Sequence, residues 1–370
     1  EQPAAAVLKV AFLARNLRDA LEALHLPRAS DRPMISLAMG EFGLISRVLA
    51  PKFGGFLTFA ALRPAEVTAP GQPTIADLFG MYNFRAINSK TKVYGVIGWP
   101  VGHSKSPLLH NAGFQSVGFD GVYLPLPVAA FDDEEASYLS FKASVTEMLE
   151  DARLDFRGAS VTLPHKVNLL RLAAECGWKL DDDAVQAGAA NTIVRDGDIV
   201  RVLNSDVLAI RECVRDMPAT RVLILGAGGV ARAAIVALRK MNSSIVVSAR
   251  DASRAAELAR EFGIATVEWE TVASCRADLV INCTPVGMAG GPAPDQSPVE
   301  SSQFALFDAK TCIFDTVYTP RSTPLIAAAV SRGMPTITGD RMFLAQARAQ
   351  FEAWTGVKPP CEGPWLELPV

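Results

Sequence analysis

The residues of this chain that could do chemistry gather in four short polar segments. They are Gly102-His-Ser104-Lys-Ser106-Pro107, Val161-Thr162-Leu-Pro-His-Lys166, Ala190-Asn191-Thr192 and Asn204-Ser205-Asp206. Where negative charge grows on a carbonyl oxygen, a nearby ammonium such as that of Lys166 stabilises it and can deliver a proton. A carboxylate partner, Asp206, would fix that lysine and accept hydroxyl donors. Ser104 and Ser106 can hold an anionic carboxylate without a second buried cation. Each segment also has a plain reading: Ser-x-Ser-Pro is a helix N-cap with Pro107 at the first position. Asn191 then sits in a turn, Asp206 caps a helix, and Lys166 is a surface lysine.

A second kind of chemistry is signalled by Gly226-Ala-Gly228-Gly229-Val230-Ala231, directly after the apolar run Arg221–Leu225 and before a helical stretch, Ala233 to Met241. Glycines at this spacing permit a tight turn and let the backbone approach a pyrophosphate, while a helix N-terminus supplies unpaired N–H donors. A turn that simply needs glycine is the alternative. Cofactor choice rests on the end of the next strand, where Ser248-Ala249-Arg250-Asp251 is followed by Ser253-Arg254. Arg250 and Arg254 can clamp a 2′-phosphate and favour NADP. Asp251 complicates this, because a carboxylate there repels a phosphate or binds the ribose of NAD; the plain reading is an exposed helix start. A third candidate is Lys9, set among apolar neighbours at a strand end. Desolvation there would lower its pKa toward a nucleophilic, imine-forming amine; otherwise it is a lysine snorkelling from a strand.

These groups need elements to position them. From Arg221 onward, short apolar runs (221–225, 244–248, 277–283 and 312–317) alternate with helical stretches, and 342–354 reads as a final helix, which together predict a doubly wound parallel sheet. A separate α/β unit precedes it. Its strands are 92–97, 121–125 and 159–162, its helix is 106–116, and a hairpin turns on Asp196-Gly197. The acidic stretch 129–151 reads as helix plus exposed loop. Residues 1–85 show three strand-like runs, Leu8–Phe12, Pro33–Leu37 and Gly55–Phe59, and a polar linker at 86–91 joins them to the rest. The expected domains are thus 1–85, 92–206 joined by the final helix 340–356, and 207–339.

Composition excludes several classes. With 370 residues, 49% of them hydrophobic and 20% charged, the chain can bury sizeable cores and is neither disordered nor fibrous. Its 36 Lys and Arg against 39 Asp and Glu, a net charge of −3, leave no electrostatic footprint for nucleic acid or a membrane surface. No apolar stretch reaches the roughly 18 residues of a membrane span, and Glu1-Gln2-Pro3 is unlike a signal peptide. Six cysteines without a CxxC pair, and four histidines away from them, give no metal site. The expectation is a reduced, cytoplasmic protein acting on small molecules, in the plastid if of plant origin.

Taken together the polar segments resemble the shikimate dehydrogenases. Gly102–Asn111, Val161–Lys166, Gly188–Thr192 and Asn204–Asp206 fall in the family's order. Leu225-Gly-Ala-Gly-Gly229, Asn282-Cys-Thr-Pro-Val-Gly-Met288, Asp315-Thr-Val-Tyr318 and Met342-Phe-Leu-Ala-Gln346 continue it, so the likeness runs from about residue 92 to 356. The resemblance implies reduction of 3-dehydroshikimate to shikimate with NADPH. It makes Lys166 and Asp206 the catalytic pair and places Ser104 and Ser106 on the substrate carboxylate. Thr162, Asn191, Gln346 and Tyr318 would contact the rest of the substrate, and Gly226, Gly228, Gly229, Val230, Ala231, Arg250, Arg254 and Met288 the nucleotide. Departures from the family pattern are Ser205 for threonine, Val167 for a frequent glutamate, and Ala249-Arg250-Asp251 for Asn-Arg-Thr.

Residues 1–85 resemble the last part of a type I 3-dehydroquinate dehydratase, through Leu8-Lys9-Val-Ala, Met39-Gly-Glu-Phe-Gly-Leu-Ile-Ser-Arg47 and Ala69-Pro-Gly-Gln72-Pro. That likeness makes Lys9 the Schiff-base nucleophile and Arg47, Thr68 and Gln72 substrate contacts. It also implies a partial (β/α)8 barrel, with about five of the eight strands and the general-base histidine upstream of Glu1. The order of the two parts is that of the fused enzyme of plants and some bacteria. Two other readings stay open: an NAD-dependent quinate/shikimate dehydrogenase, which Asp251 favours, and a non-catalytic quinate-pathway regulator, which Lys166 and Asp206 argue against.

Overall fold

A computed structural model describes residues 6–66, 69, 71–217, 220–300 and 302–366. The chain divides into two compact units. The first holds Glu1–Lys179, Thr192–Arg201 and Phe351–Trp365, and the second Leu180–Asn191 and Val202–Gln350 with the last residues.

The first unit opens with a βαβ step. β1 (Leu8–Leu13) and β2 (Met34–Met39) pair in parallel, Lys9 opposite Ile35, across helix α1 (Leu17–His25). Asn16 starts α1 by accepting the N–H groups of Arg18 and Asp19, as a capping side chain does. A short helix, α2 (Leu44–Val48), follows β2. The run Gly55–Phe59, expected as a third strand, forms none. Gly54 turns the chain with φ +76°, the Phe56 N–H reaches the Met34 carbonyl (2.9 Å) without a ladder forming, and Phe56, Leu57 and Phe59 are exposed. The buried Lys52 ammonium fastens the linker by donating to the carbonyls of Ser89 (3.1 Å) and Thr91 (2.8 Å).

The same unit carries a mixed sheet. Its strands are β3 (Lys92–Gly98), β4 (Gly121–Pro127), β5 (Phe156–Val161), β6 (Lys179–Leu180), β7 (Thr192–Asp196) and β8 (Ile199–Leu203), in the order β4-β3-β5-β7-β8-β6. β4, β3 and β5 run parallel, and β7 is antiparallel to β5. Gly197, at φ +59°, closes the β7–β8 hairpin that Asp196-Gly197 signals. Helices α3 (Ser106–Ser116), α4 (Glu134–Glu150) and α5 (Lys166–Glu175) follow the parallel strands. The acidic stretch resolves into α4, started by Asp133, whose side chain accepts the N–H groups of Glu135 and Ala136.

In the second unit, α6 (Asp182–Ala187) and α7 (Ser205–Val214) lead into β9 (Arg221–Leu225), α8 (Gly229–Arg239), β10 (Ser244–Ser248), α9 (Ala252–Phe262) and β11 (Ala265–Thr266). Then come β12 (Leu279–Asn282), β13 (Cys312–Asp315), α10 (Pro324–Val330), β14 (Thr336–Ile337) and α11 (Gly339–Thr355), whose last turns belong to the first unit. The strands are all parallel in the order β11-β10-β9-β12-β13-β14, a doubly wound sheet whose order reverses between β9 and β12. Along β9, Val222 and Ile224 pack with Ile235 and Leu238 of α8, while Leu223 and Leu225 pack with Phe304 and Leu325 on the other face. Burial on both faces is why 221–225 reads as an unbroken apolar run. No helix among the described residues is long and apolar enough to cross a membrane.

The core of the first unit encloses a histidine. His110 of α3 is fully buried against the rings of Tyr123 (centroids 4.6 Å apart), Trp354 (5.0 Å) and Trp365 (5.6 Å). Neither of its ring nitrogens has a hydrogen-bond partner among the described residues. Burial pushes its pKa down to about 3, so the fold keeps it neutral while the unfolded chain protonates it near its ordinary 6.5. The stability this group permits is present above about pH 6.5 and is lost as pH falls toward 3. The stability difference between His110→Phe and the parent chain should therefore grow by about 1.4 kcal/mol per pH unit below roughly pH 6.5 and stay constant above it, as urea unfolding at a series of pH values would measure. A difference that does not change with pH would show that His110 is not held neutral.

Candidate functional site

In the first unit the carboxyl ends of three parallel strands meet. Beyond β3 lies the loop Trp99–Lys105, beyond β4 lies Val128, and beyond β5 the turn Thr162–His165 leads into α5. Four backbone bonds lace them together or extend the sheet: Thr162 N–H to Ile97 carbonyl (2.8 Å), Trp99 N–H to Leu163 carbonyl (2.9 Å), Val128 N–H to Gly98 carbonyl (3.0 Å) and His165 N–H to Thr162 carbonyl (3.0 Å). Gly98 makes this possible. A Cβ there would run into the Thr162 side chain and come within 2.8 Å of the Leu163 carbonyl oxygen. Ligands of parallel sheets bind at such strand ends.

This arrangement brings together the four candidates of that region. Ser104 is half-buried, and its hydroxyl accepts the Ser106 N–H (3.2 Å) at the start of α3. Ser106 is buried, Thr162 half-buried, and Lys166, the first residue of α5, only 8% exposed. A lysine at a helix N-terminus gains nothing from the helix dipole, so the turn must hold it there.

His165 does so, a residue that the sequence pointed to only as part of a motif. Its Nε2 lies 2.9 Å from the Val128 carbonyl, and its Nδ1 is 3.0 Å from the Asn168 side-chain nitrogen. A carbonyl can only accept and an amide NH2 can only donate, so the ring is neutral with its proton on Nε2. Burial lowers its pKa accordingly, partly offset by the bond to Val128.

Asn191, Asp206, Gln346 and Tyr318 belong to the second unit. The buried Asn191 side-chain oxygen accepts both the N–H (2.8 Å) and the hydroxyl (3.0 Å) of Ser205, which fixes the orientation of its amide. Its backbone is held by the Leu203 carbonyl (3.0 Å) and by Gln350 of α11 (3.3 Å). Asn204 caps α7 by accepting the N–H groups of Asp206 (3.1 Å) and Val207 (3.3 Å), and its own amide nitrogen donates to the Ala189 carbonyl (2.8 Å). Asp206 is thereby buried in the first turn of α7, where the dipole favours a carboxylate. Asn204 rather than Asp206 is the cap. Tyr318 stacks on Phe343 of α11 at 4.4 Å, one turn before the half-buried Gln346.

The glycine turn stands at the point where the strand order reverses. Gly226 has φ +110°, and a Cβ on it would lie 3.1 Å from the backbone of Cys283 at the end of β12. Around Gly228 a Cβ would meet nothing within 4 Å. As N-cap of α8, Gly228 offers no side-chain acceptor to the N–H groups of Gly229, Val230 and Ala231, which is what an anion at a helix N-terminus requires. Ala231 is fully buried in the helix–sheet contact. Met288 is half-buried in the loop after β12, where its carbonyl accepts the Gly291 N–H (2.9 Å). That loop is anchored by the buried Asp315, which accepts from Asn282 (2.9 Å), the Val317 N–H (3.0 Å) and the Thr323 hydroxyl (2.6 Å). Burial raises its pKa to about 6. Thr323 in turn caps α10 through the Ile326 N–H; Thr323-Pro324 is a cap signal that sequence reading could have found.

Arg250 and Arg254 are exposed at the start of α9. Asp251, which complicates the cofactor choice in sequence, is the N-cap of α9. One of its oxygens accepts the N–H (3.0 Å) and hydroxyl (2.6 Å) of Ser253 and the N–H of Arg254 (3.3 Å). These bonds, led by the Ser253 hydroxyl, hold its pKa below the usual carboxylate value.

The N-terminal candidates differ from expectation in one respect. Lys9 is exposed rather than desolvated, because β1 alternates and turns every second side chain outward. Its ammonium lies 4.5 Å from the centre of the Phe59 ring. Arg47 of α2 is buried at 3% exposure and reaches the Phe59 carbonyl at 3.5 Å, and burial lowers its pKa. The half-buried Gln72 follows Gly71, where a Cβ would strike the Gly40 carbonyl, so its turn lies against the start of the Gly40–Arg47 segment. Thr68 falls outside the described residues.

A doubly wound sheet with its glycine turn at the switch point, joined to an α/β domain rich in polar strand ends, defines a dinucleotide-dependent oxidoreductase. Family models place it further. "Shikimate dehydrogenase substrate binding domain" matches residues 96–193, "Shikimate 5'-dehydrogenase C-terminal domain" 341–362, and "NADP oxidoreductase coenzyme F420-dependent" 221–297. "Type I 3-dehydroquinase" matches 1–89, so a dehydratase segment is present at the N-terminal end of this chain. A shikimate dehydrogenase (NADP(+)) of Pelobacter propionicus is 39% identical over 72% of this chain and 92% of its own length. The chloroplastic bifunctional 3-dehydroquinate dehydratase/shikimate dehydrogenase of Arabidopsis thaliana is 36% identical over 99% of this chain, which spans 60% of that relative's length. Among solved structures, the Thermus thermophilus shikimate 5-dehydrogenase in complex with NADP(H) and shikimate superposes with a TM-score of 0.61 at 29% identity. It covers 73% of this chain and 95% of that one. The chain belongs to the shikimate dehydrogenase family, with a type I 3-dehydroquinase segment in the same polypeptide.

The capping role of Asp251 is open to test. Asp251→Ala should lower the melting temperature and speed amide exchange at Ser253 and Arg254, whereas Asp251→Ser, which keeps a capping oxygen, should recover most of both. Unchanged exchange in the alanine variant would remove Asp251 from the cap.

Proposed function

We propose that this chain interconverts 3-dehydroshikimate and shikimate with NADP, the reduction being the biosynthetic direction. The observation that carries the reading is the buried Lys166, held by the His165 turn beside Thr162 and close in the fold to the loop of Ser104 and Ser106. In this reading the two serine hydroxyls donate to the substrate carboxylate, and Thr162, Asn191, Gln346 and Tyr318 contact the ring and its hydroxyls. Because the Asn191 oxygen is taken by Ser205, its amide nitrogen is the group offered as donor. Lys166 stabilises charge at the carbonyl oxygen that becomes the hydroxyl and holds the proton delivered there, and Asp206 accepts from the lysine or a neighbouring hydroxyl.

The residues of the second unit fit a dinucleotide. The side-chain-free N-cap of α8 suits the pyrophosphate, and Arg250 and Arg254 suit a 2′-phosphate. Asp251 is spent on the α9 cap, which weakens the NAD reading, and the Pelobacter relative is named for NADP(+). When bound, NADPH supplies the hydride.

For the dehydratase segment, we propose that Lys9, Arg47, Thr68 and Gln72 are its imine-forming and substrate-contacting groups. Dehydration also needs a general base, and this chain's four histidines are placed for other tasks. His25 bonds to Asp151 at 2.8 Å, His110 and His165 are buried elsewhere, and His103 lies in the serine loop.

Lys166→Ala should lower turnover of shikimate with NADP by about a hundredfold or more while shikimate binding is largely kept, measured by steady-state kinetics and by titration calorimetry. Unaltered turnover would sink the role given to Lys166. The purified 370-residue chain should show that dehydrogenase activity and no dehydration of 3-dehydroquinate above background, followed by absorbance of the enone product. Substantial dehydration would refute the reading of the N-terminal segment.

A further inference from the structure

The dehydratase segment touches the serine loop through a single aromatic pair whose position is informative. Phe42 and Trp99 stack with ring centroids 5.4 Å apart and planes inclined by 9°. Phe42 stands in the turn between β2 and α2, inside the dehydratase-like motif. Trp99 is the first residue beyond β3, at the root of the loop that carries Ser104 and leads to Ser106.

Both partners are held from behind. The Phe42 turn is closed by the Gly43 N–H on the Gly40 carbonyl (3.0 Å) and by the Ser46 hydroxyl, which donates to the Gly43 carbonyl (2.7 Å) and accepts the Ala38 N–H (3.0 Å). Gly43 packs so tightly on β2 that a Cβ would collide with the Ala38 carbonyl. On the other side, the Trp99 N–H donates to the Leu163 carbonyl inside the turn that presents Thr162 and Lys166. One indole thus roots the serine loop through the chain and the lysine turn through a hydrogen bond, and its face rests on Phe42.

The geometry points to Phe42 as a positioning residue for the dehydrogenase: a side chain of the dehydratase segment that sets the substrate-carboxylate loop of the neighbouring domain. This deepens the shikimate dehydrogenase reading and rests on it. Two other ties join the same parts of the chain, the His25–Asp151 pair and the Lys52 bonds to Ser89 and Thr91. Neither touches the loop or the turn, so they separate loop positioning from general docking of the segment.

The test compares Phe42→Ala, Phe42→Tyr and His25→Gln in the full chain. Phe42→Ala should raise KM for shikimate about five- to tenfold with kcat and KM for NADP changed less than about twofold, since a lost aromatic contact acts on ground-state positioning. Phe42→Tyr, which keeps the ring, should restore the parent KM, and His25→Gln should leave it unaltered. Amide hydrogen exchange gives a readout independent of the reaction: residues 99–106 should exchange faster in Phe42→Ala, and β9 and α8 should not. A shikimate KM within twofold of the parent in Phe42→Ala, or an equal rise in His25→Gln, overturns the assignment. Unchanged exchange over 99–106 overturns it as well, even if the parent chain proves not to oxidise shikimate, a result that by itself would refute the proposed function instead. Should Phe42→Ala fail to fold, Phe42→Leu, similar in bulk but without a ring to stack, takes its place under the same criteria.

Discussion

The close approach of three parallel strand ends at Gly98 is the constraint on which the chemistry of the first unit depends. With no Cβ at that position, the end of β3 can lie against the Thr162–Leu163 turn, and the backbone bonds between the two follow. Any side chain there would push the turn outward and carry Lys166 with it. The buried ammonium is therefore placed by a missing atom and by the neutral imidazole of His165. The two serines come from the loop on the other flank of the same contact.

The second unit solves a similar problem with caps. Its strand ends must leave peptide N–H groups available for a ligand at α8 while satisfying those of every other helix. Asn204, Asp251 and Thr323 cap α7, α9 and α10, and α8 alone of these four starts on a residue with no side chain to offer. An anion is the natural complement to that one uncapped end. Asp315 extends the same economy, since a single carboxylate ties the end of β12, the loop after β13 and the start of α10.

Much of this was legible in the sequence because local signals and tertiary demands agree. The apolar run 221–225, the glycine turn after it and Asp196-Gly197 each need only near neighbours to be read, and each stands where the pattern put it. The failures come from information that lies across the fold. Gly55–Phe59 has the composition of a strand, but Gly54 and the absence of a ladder on β2 leave it irregular. Lys9 has apolar neighbours in sequence, yet strand alternation turns it outward, because sequence neighbours of a strand residue lie on the opposite face. Asp251 looked like a cofactor determinant because its three bonds to the α9 backbone and Ser253 exist only once the helix does. The aromatic box around His110 draws on α3, β4, α11 and the chain after it, and no window of sequence contains it.

The buried titratable groups carry one more consequence, for how the two units share a pH range. His110 is kept neutral down to about 3, so below 6.5 the unfolded chain holds a proton that the folded chain refuses, and stability falls with acid. Asp315 does the reverse. Its pKa is raised to about 6 from 3.8, so between those values the folded chain holds a proton that the unfolded chain releases, and that contribution is lost as pH rises. His165, lowered by burial, acts in the sense of His110, and Asp181, raised by burial, in the sense of Asp315. Across mildly acidic pH the slopes therefore oppose each other, although the groups sit in different units. A cooperative chain would integrate them into a nearly flat stability. If the two units unfold separately, they should part as the medium is acidified, the unit built around His110 weakening while the one built around Asp315 gains.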